Sequence, residues 1–440
     1  MSAPPSRDDP TPAARDSRYR RKLLTLLSSA TFFEGYDNFV LSFVLALVLV
    51  DLGGTEAQAG WIRAIVGLGA AAGFLLSAQA DRIGRRRLLL ITIVGYTACA
   101  ALTALSPNLA FLTGAQFLSQ IFLASEWAVA ITIVTEEFPR AQRGRALGIV
   151  TSMNTLGGIA VGLLAFGSSV LPFDVSWRAY YVLALLPLVI VAIGRRSMLE
   201  TERYSAVQAS EGFEHLNHTR LLEPWRSAFR SDVLAVGLVT FFRHAVAAAA
   251  AFWWAYYAQQ EVGMPVSTSG LYLAAAGVLG AVGFIVAGRL MDRHGRKPVF
   301  LAYMVGTLVF GTWLFQIHDP GVMLPVLCLA IFFGLGSVAV TSAFATEPFP
   351  TYVRSRAAAW CRNAFEIPGG IVAPLIVGIL GDHVTGPIGS IGDAMSLTTV
   401  ALLPTIWIAW RYVPETKDVN LVAMDDAVTA WSEAGSRRCS

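Results

Sequence analysis

The sequence predicts an all-α integral membrane protein in which twelve transmembrane helices form two pseudo-symmetric six-helix halves. Three observations support this fold class. The chain of 440 residues is 55% hydrophobic and only 14% charged, whereas soluble domains carry roughly 25% charged residues. Its apolar residues fall into about twelve runs that reach the roughly 20 residues needed to cross a bilayer. Charged motifs between these runs recur at one fixed distance along the chain.

The apolar runs follow one another with short connections. A span needs about 20 residues, because about 30 Å of hydrocarbon is crossed at 1.5 Å per residue. We predict spans one to six in a first half, 23–196, and spans seven to twelve in a second half, 232–412. A polar linker, 197–231, separates the halves, and polar tails, 1–22 and 413–440, flank them. The predicted spans are 23–50, 58–80, 88–106, 109–135, 145–168, 178–196, 232–258, 268–290, 298–317, 321–345, 355–381 and 393–412.

The halves share their charged loops. Asp81-Arg82-Ile83-Gly84-Arg85-Arg86 returns as Asp292-Arg293-His294-Gly295-Arg296-Lys297, which lies 211 positions later (292 − 81 = 211). Glu136 and Arg143 return at the same offset as Glu347 and Arg354. Two separate matches at one offset indicate a duplication. In a chain this hydrophobic, two similar halves are typical of a transporter whose site lies between them.

The basic residues predict the orientation in the membrane. They precede span one and fill the even-numbered loops, whereas loops 106–108 and 318–320 on the other side hold neither Lys nor Arg. The positive-inside rule therefore places both termini in the cytoplasm and the chain in the plasma (inner) membrane, crossing it many times.

Composition also limits the partners that we expect. The net charge of +3, with its basic residues confined to short loops, does not indicate a nucleic-acid partner. Four cysteines lie far apart without a CxxC spacing, so we predict no metal site. No phosphate loop or nucleophile motif is present, so we predict neither a cofactor nor an enzyme. The expected partners are the lipid bilayer, protons and a small-molecule substrate, bound by a monomer.

The repeated loop resembles the signature of the major facilitator superfamily, G-x-x-x-D-R-x-G-R-[KR]. The second copy, 288–297, matches it in full, and the first departs only at Ser77. Other stretches resemble particular branches. These are the loop signatures of sugar porters at 200–204 and 414–417, the acidic pair of aromatic-acid:proton symporters at 34–37, and the Gly-Glu-Trp stretch of metabolite symporters at 125–127. The resemblance implies a twelve-helix fold, alternating access and proton-coupled symport.

The charged loops are predicted to form a gate. Asp81 could accept hydrogen bonds from backbone N–H groups at the start of span eleven, where the helix dipole is positive. The neighbouring arginines could pair with Glu136 or Glu137. The alternative is positive charge that only sets topology. The predicted gating residues are Asp81, Arg82, Gly84, Arg85, Glu136 and Arg143 in the first half, and Asp292, Arg293, Gly295, Arg296, Glu347 and Arg354 in the second.

Acidic residues inside the spans are candidates for proton coupling. A charge at mid-bilayer costs roughly 2.5–3.5 kcal/mol, so each one needs a reason. Glu34 lies about 16 Å into span one, Asp37 is one turn further along the same face, and Glu126 lies in span four. We predict that these three carry protons. The alternative for Glu34 is a structural acid that fixes a bend at Gly35.

Substrate contacts are predicted in spans five, seven and eleven. Arg243 could bind a carboxylate with both arms of its guanidinium, and it could equally form an internal ion pair with Glu34, Glu126 or Glu366. Arg362 and Glu366, four residues apart, could also satisfy each other. Aromatic residues at 253–257 are expected to form a belt at the membrane interface. The predicted substrate-binding residues are Arg243, His244, Arg362, Glu366 and Asn154.

These residues favour a secondary active transporter of a small organic acid or similar metabolite, coupled to protons. The charge-rich set of intramembrane residues favours an acid over a neutral substrate. The alternatives are a sugar or polyol:proton symporter, then a drug or metabolite exporter, then a membrane receptor that has lost transport. The sequence indicates neither the identity of the substrate nor the direction of its transport.

Overall fold

A computed structural model describes residues 12–77, 79, 83–138, 140–168, 175–195, 223–225, 229–349 and 351–417. Helices lie at all twelve predicted positions, and we keep the span numbers for them. Within the described ranges, eleven helices are long and apolar enough to cross a membrane. The predicted all-helical membrane fold is therefore confirmed. Spans one to ten are Pro12–Leu52, Glu56–Ser77, Arg85–Ala104, Leu109–Glu137, Arg140–Ser168, Trp177–Arg195, Arg230–Tyr256, Val266–His294, Arg296–Leu314 and Pro320–Phe344.

The last two spans are interrupted. Span eleven consists of Thr351–Trp360, a π-helical turn Cys361–Glu366, and Ile367–Gly381. Span twelve consists of Ile391–Thr399 and Leu402–Tyr412. The break in span twelve precedes Pro404, which has no N–H to donate to the carbonyl four residues earlier. Span seven also ends in a π-helical turn, Tyr257–Glu261, and such turns occur often at functional sites.

The first helix is longer than the predicted span. It begins at Pro12, so residues 12–22, expected in a tail, are helical. Hydropathy detects only the part of a helix that lies in the hydrocarbon, whereas a polar segment with good helix formers continues the helix beyond it. The rest of both tails (1–11 and 418–440), the last residue of predicted span six (196) and most of the predicted linker (197–222 and 226–228) lie outside the described residues.

The chain forms two compact units that differ from the predicted halves. The first unit comprises residues 1–40, 69–160 and 176–215, and the second comprises 41–68, 161–175 and 216–440. The second unit therefore includes the end of span one, the beginning of span two and the end of span five. The division into two six-helix halves stays a prediction.

Each unit has its own apolar core. In the first unit, Leu23 and Leu27 of span one pack with residues of spans three, four and five, namely Leu88, Leu89, Val129, Ala130, Ile133, Val134, Ala146 and Val150. The core of the second unit joins spans seven to ten and twelve around Val236, Phe300, Met304, Val340 and Ala409. A smaller cluster, Val233, Phe349, Val353 and Ala357, is covered by Trp225 from the short 3₁₀ turn Glu223–Trp225 of the predicted linker.

Small residues let the helices of the second unit pack backbone to backbone. A Cβ atom added to Gly378 of span eleven would lie 2.7 Å from the carbonyl oxygen of Glu56. Gly162 of span five and Gly270 of span eight face each other in the same way, at 2.3 Å. Close approach of this kind is how membrane helices gain packing energy, because lipid gives no hydrophobic drive between them.

Asp382, at the end of span eleven, ties two spans of the second unit together. It is fully buried. Its carboxylate accepts hydrogen bonds from the N–H of Ala57 at the start of span two (3.0 Å) and from the N–H groups of Val384 (3.0 Å) and Thr385 (2.8 Å). Burial raises the pKa of Asp382, but hydrogen bonds from the Ala57 and Thr385 amides, the Thr55 side chain and the Val384 amide outweigh it and lower the pKa below its ordinary value.

We expect Asp382→Asn to lower the thermal stability of the detergent-purified protein, by about 1.5–3 kcal/mol, the scale of a hydrogen bond to a charged group. Because the folded-state pKa of Asp382 is depressed, its contribution is present above the unfolded-state pKa and is lost as pH falls through the folded-state pKa. The difference between wild type and variant in unfolding temperature should therefore be full at pH 7. Exposed Asp319→Asn is the control. Equal unfolding temperatures for wild type and Asp382→Asn would contradict this role.

Candidate functional site

The three predicted proton carriers are buried inside the first unit. Glu34 and Asp37 of span one are 8% and 4% exposed, and Glu126 of span four is 3% exposed. Three carboxyl groups removed from water within one small unit would be unfavourable as three negative charges. Each of them must therefore be compensated by hydrogen bonds, by a basic partner or by a bound proton.

One hydroxyl group contacts Asp37, and two phenols lie near it. Its Oδ2 atom lies 3.4 Å from the hydroxyl of Ser119 in span four. The buried phenols of Tyr96 and Tyr181 lie within electrostatic range of Asp37, and Tyr96 also lies within range of Glu126. The Tyr96 hydroxyl donates to the carbonyl of Phe33, next to Glu34, at 3.2 Å. A hydroxyl group can donate a hydrogen bond to a charged carboxylate, and it can accept one from a protonated carboxyl group.

Gly35 has a packing role. A Cβ atom there would lie 1.9 Å from the carbonyl oxygen of Asn154, and one at Gly157 would lie 2.0 Å from the carbonyl of Phe32. Spans one and five thus touch along their backbones beside Glu34. Span one continues as one helix through Gly35, and the close contact with span five gives this glycine a reason in packing. Asn154, a predicted substrate contact, is placed beside the acidic pair.

The first unit also contains an open cleft of about 400 Å³ between spans one and five. Its polar lining consists of hydroxyl groups of span one, and the remainder is apolar. Phe33, which precedes Glu34 in span one, is one of the lining residues, so the cleft lies close to Glu34. This volume lies within the range of about 300–1,000 Å³ that is usual for small-molecule sites. The lining residues are Leu24, Thr25, Ser28, Ser29, Phe32, Phe33, Ile149 and Met153.

In the second unit, one carboxylate serves two basic side chains. Glu366 Oε1 lies 3.6 Å from Arg243 Nη2 and 3.4 Å from His244 Nδ1. Glu366 ends the π-helical turn Cys361–Glu366, which changes the geometry expected for an i,i+4 pair with Arg362. Arg243 is 5% exposed, and its Nε–H has no hydrogen-bond partner among the described residues. Of the alternatives for Arg243, the structure thus contains the pair with Glu366.

A small cavity of about 90 Å³ adjoins this group. Hydroxyl groups of spans seven and ten line it together with the charged residues. Because small-molecule sites usually occupy about 300–1,000 Å³, this cavity has room for one polar group of a ligand and not for a whole ligand. The structure therefore brings Arg243, Arg362 and Glu366 together at one place. The lining residues are Thr240, Arg243, Val338, Thr341, Ser342, Ala345, Ala358, Cys361, Arg362 and Glu366.

The repeated loop of the second unit is held by a network of ion pairs. Arg296 binds Glu347 with two arms, Nε to Oε2 at 3.0 Å and Nη2 to Oε1 at 3.1 Å. This is the second-copy counterpart of the pairing predicted for Arg85 and Glu136. The hydroxyl of Thr416 also donates to Glu347. Spans nine, ten and twelve are joined by these contacts.

The acid of the second loop is not placed as predicted for Asp81, which itself lies outside the described residues. Asp292 lies 3.7 Å from the Arg296 side chain. Glu415 takes the expected place, accepting from the N–H groups of Arg296 (2.8 Å) and Lys297 (2.9 Å) at the start of span nine. Partial burial raises the pKa of Glu415, but the backbone hydrogen bonds outweigh it and lower the pKa.

The repeated glycine has a backbone reason. Gly84 and Gly295 each precede a span with φ of 96° and 99°, which residues with a side chain rarely adopt. A Cβ atom at Gly295 would also lie 2.7 Å from Glu415 Oε2.

Backbone carbonyl groups take part in the contacts of two further predicted gating residues, Arg354 and Arg293. Arg354 donates from Nε to the carbonyls of Thr346 and Phe349, both at 3.1 Å, and the carbonyl of Arg293 accepts from the Lys417 ammonium at 3.0 Å. Asp81 and Arg82, and the side chains of Glu136 and Arg143, lie outside the described residues.

The aromatic residues at the end of span seven are not an interfacial belt. Trp253 and Tyr257 are fully buried, and Trp254 and Tyr256 nearly so. Trp253 donates to the carbonyl of Pro374 at 2.9 Å, and Tyr257 donates to that of Ile317 at 2.9 Å. The sequence interpretation was wrong because hydropathy places a residue along a span but does not reveal which neighbour covers it.

Sequence reasoning also missed a polar cluster at this end of the second unit. His383 Nδ1 lies 2.9 Å from Glu56 Oε1, and its Nε2 lies 3.8 Å from Glu261 Oε1. The Tyr256 hydroxyl donates to Glu56. Glu261 accepts from Gly392 N–H at the start of span twelve, at 3.1 Å. These residues lie at span ends far apart in sequence, so no local pattern could have joined them.

A second missed residue is Arg63, an arginine inside span two. It lies in an otherwise apolar run, 62–78, which was the available signal. It belongs to the second unit with Arg243 and His244.

Comparison with known proteins identifies the family. The family model described as Major Facilitator Superfamily matches residues 27–291 and 236–439. The niacin transporter NiaP of Acinetobacter baylyi is 26% identical over 389 residues, which cover 82% of this chain and 87% of that protein. The cis,cis-muconate transport protein of the same species is 23% identical over 390 residues, covering 86% and 92%.

The fold agrees with a solved structure. The inward-open conformation of the xylose transporter XylE from E. coli has a TM-score of 0.74 at 17% identity, covering 93% of this chain and 99% of that one. Both relatives in sequence are named as transporters, as the loop motifs predicted. The chain belongs to the Major Facilitator Superfamily.

Proposed function

We propose that this chain is a secondary active transporter that carries a small organic acid together with protons by alternating access. The observation that carries the proposal is the distribution of buried charge. Carboxyl groups are enclosed in the first unit, and guanidinium groups adjoin a cavity in the second. The relatives named above transport niacin and muconate, both of which are organic acids. Import or export is left open.

In this proposal Glu34, Asp37 and Glu126 carry the coupled proton. Each is enclosed by protein, so the free-energy difference between its protonated and its charged form depends strongly on the local environment. A change in access from one side of the membrane to the other would change that environment. Each charge moved across the membrane contributes about 2.3 kcal/mol per 100 mV, which is enough to concentrate a substrate appreciably.

The substrate carboxylate would be bound by the basic residues of the second unit. Arg243 and Arg362 supply positive charge, and the ring of His244 supplies a nitrogen that can donate a hydrogen bond. Asn154 stays a separate candidate for a substrate contact. Glu366 already pairs with Arg243. Arg243 would therefore add positive charge to the site while its own side chain stays paired with that carboxylate.

The contacts around Arg296 are proposed to act as a gate. Arg296, Glu347 and Glu415 join the ends of three spans, and the first-half counterparts Asp81, Arg82, Gly84, Arg85, Glu136 and Arg143 are proposed to act likewise. Ion pairs at span ends can form in one conformation and part in the other. We also propose that both termini are cytoplasmic, from the positive-inside rule, and that the chain works as a monomer.

Transport in proteoliposomes tests the function. Labelled nicotinate, cis,cis-muconate and xylose are offered with and without an imposed pH gradient and with and without a protonophore. We expect a carboxylate to accumulate only with the gradient and xylose not to accumulate. Accumulation of no carboxylate from a wider panel of organic acids would contradict the proposal, and gradient-independent equilibration would contradict proton coupling.

A sugar or polyol:proton symporter is the second candidate. It is favoured by the pairing of Arg243 with Glu366, which leaves that arginine less available to an anion. The hydroxyl groups of Thr240, Thr341 and Ser342 at the cavity could bind a neutral polyol. The same proteoliposome assay decides between the two, because this candidate requires accumulation of the neutral solute.

Proton coupling predicts the behaviour of the acids in span one. We expect Asp37→Asn, or Glu34→Gln, to abolish accumulation driven by a pH gradient, which supplies about 1.4 kcal/mol per pH unit for each proton. Exchange of internal for external substrate should persist, because it needs no net proton movement. Ser119→Ala, which removes only a hydroxyl contact of Asp37, is the control and should keep gradient-driven uptake. If both acid variants accumulate substrate as the wild type does, neither acid carries the proton.

The gate predicts a change in turnover without a change in affinity. Glu347→Gln removes the charge that binds Arg296, and we expect a shift of about 1–2 kcal/mol in the conformational equilibrium, a factor of about 5–30. The transport rate should fall while the Kd for substrate stays within about twofold, because Glu347 lies outside the cavity lining. Exposed Arg289→Gln is the matched loop control. A large loss of affinity in Glu347→Gln with an unchanged rate would exclude a gating role.

A further inference from the structure

Arg63 lies well inside the membrane, on span two of the second unit. It is seven residues from the first residue of the helix, Glu56, and so about 10 Å along the helix axis. An arginine within a span costs about 2.5–3.5 kcal/mol on insertion scales and usually has an acidic partner or a function. No carboxylate lies within ion-pair distance of Arg63 among the residues that the structure describes.

The direction of the side chain excludes a simple explanation. Long basic side chains near the end of a span usually reach back to the membrane surface. The near surface for Arg63 is at Glu56, and the Cα–Cβ bonds of a helix also tilt toward that end. Yet a Cβ atom added to Gly67, four residues deeper in the span, would lie 3.6 Å from Arg63 Nη1. The guanidinium therefore reaches into the membrane and away from the nearer surface.

The deeper position brings Arg63 to the basic residues of the same unit. Gly67 packs against Ile371 of span eleven, where an added Cβ would lie 2.6 Å from its side chain. One residue before Ile371, Gly370 packs against the His244 ring, because a Cβ atom added to Gly370 would lie 2.8 Å from His244 Nε2. His244 lies within electrostatic range of Arg63 as well as of Arg243 and Arg362. Arg63 thus extends the cluster of positive charge around His244.

The one carboxylate in this cluster is already engaged. Glu366 Oε1 serves both Arg243 and His244, and no ion pair joins it to Arg63 among the described residues. Arg243 therefore has an internal counter-charge, and Arg63 has none. A half-buried guanidinium without a counter-charge is a ready binding group for a carboxylate, which it can hold with two parallel hydrogen bonds.

We propose that Arg63 binds the carboxylate of the transported acid, beside His244, while Glu366 holds Arg243. The inference rests on the proposed function and assigns the charge recognition within it to a residue of span two. The bound carboxylate would supply the counter-charge that Arg63 lacks among the described residues. The affinity of the site would then depend on the charge of the ligand more than on its ring or chain.

The test uses two ligands that differ only in charge. Binding of nicotinate and of its neutral amide, nicotinamide, is measured by calorimetry on purified wild type, Arg63→Gln, Arg63→Lys and Arg243→Gln. If wild type binds muconate and not nicotinate, muconate and its dimethyl ester replace the pair. We expect Arg63→Gln to weaken the carboxylate at least about tenfold, equivalent to about 1.4 kcal/mol, and to change the neutral ligand less than about twofold. Arg63→Lys should lie between, because the ammonium lacks the two-armed geometry.

The ligand-free proteins provide an independent readout. Arg63→Gln removes a charge without a counter-charge, so its melting temperature should equal or exceed that of the wild type. Arg243→Gln leaves Glu366 without its guanidinium, so its melting temperature should fall. A structural role for Arg63 would instead lower the melting temperature, or prevent folding, in Arg63→Gln.

Each outcome supports or overturns the inference. Unchanged carboxylate binding in Arg63→Gln and Arg63→Lys overturns it and leaves the proposed function standing. Equal losses for the charged and the neutral ligand also overturn it, as does a melting temperature of Arg63→Gln as low as that of Arg243→Gln. If the wild type binds no carboxylate from a panel of organic acids, the proposed function fails first, and the inference fails with it.

Discussion

A charged side chain inside the hydrocarbon region is stable only where some other group compensates it, and this constraint organises the interior of the protein. Glu366 shows one solution, in which a single carboxylate meets both a guanidinium and an imidazole. Asp37 shows another, in which a serine hydroxyl contacts, and buried phenols lie near, a carboxyl group that can also take a proton. Arg63 is the position where the described residues supply no such counter-charge. Compensation, or the lack of it, is therefore a guide to which charges hold the fold and which await a ligand.

The ends of the spans obey a related constraint. The first N–H groups of a helix have no partner within it, and a carboxylate there is favoured by the helix dipole. The second unit uses the same arrangement three times, each time with an acid from a distant part of the chain. Asp382 accepts at the start of span two, Glu415 at the start of span nine and Glu261 at the start of span twelve. Such contacts cap one helix and fix its end to another.

The enclosed acids of the first unit and the arginines beside the cavity of the second suit a symporter. A proton binds to an acidic side chain, whereas a substrate carboxylate binds to a basic one. Enclosed carboxyl groups in one unit and guanidinium groups beside a cavity in the other provide both. The repeated loops serve a different need. Their glycines adopt a positive φ before spans three and nine, and the arginine that follows Gly295 binds the acid at the foot of span ten. The residues that the two loops share thus have roles in backbone conformation and in ion pairing.

The sequence by itself determined the class, the positions of the spans and the family. Hydropathy is a local property summed along the chain, and the loop repeat is a comparison of the chain with itself, so neither needs a contact map. The same local view identified Glu34, Asp37, Glu126 and Arg243, because a charge in an apolar run is visible without a partner. It did not extend to helical residues outside the hydrocarbon, such as 12–22, whose helix depends on propensity and not on hydropathy.

Only the tertiary structure decided the partners. Glu366 of span eleven pairs with Arg243 and His244, which lie on span seven. Trp253 and Tyr257 are buried because other spans of the second unit cover them. Span nine is capped by Glu415, and not by Asp292 in the loop just before it. The two acids are 123 positions apart (415 − 292 = 123). In each case the deciding contact joins residues that are distant in sequence. Composition and periodicity carry no information about such contacts.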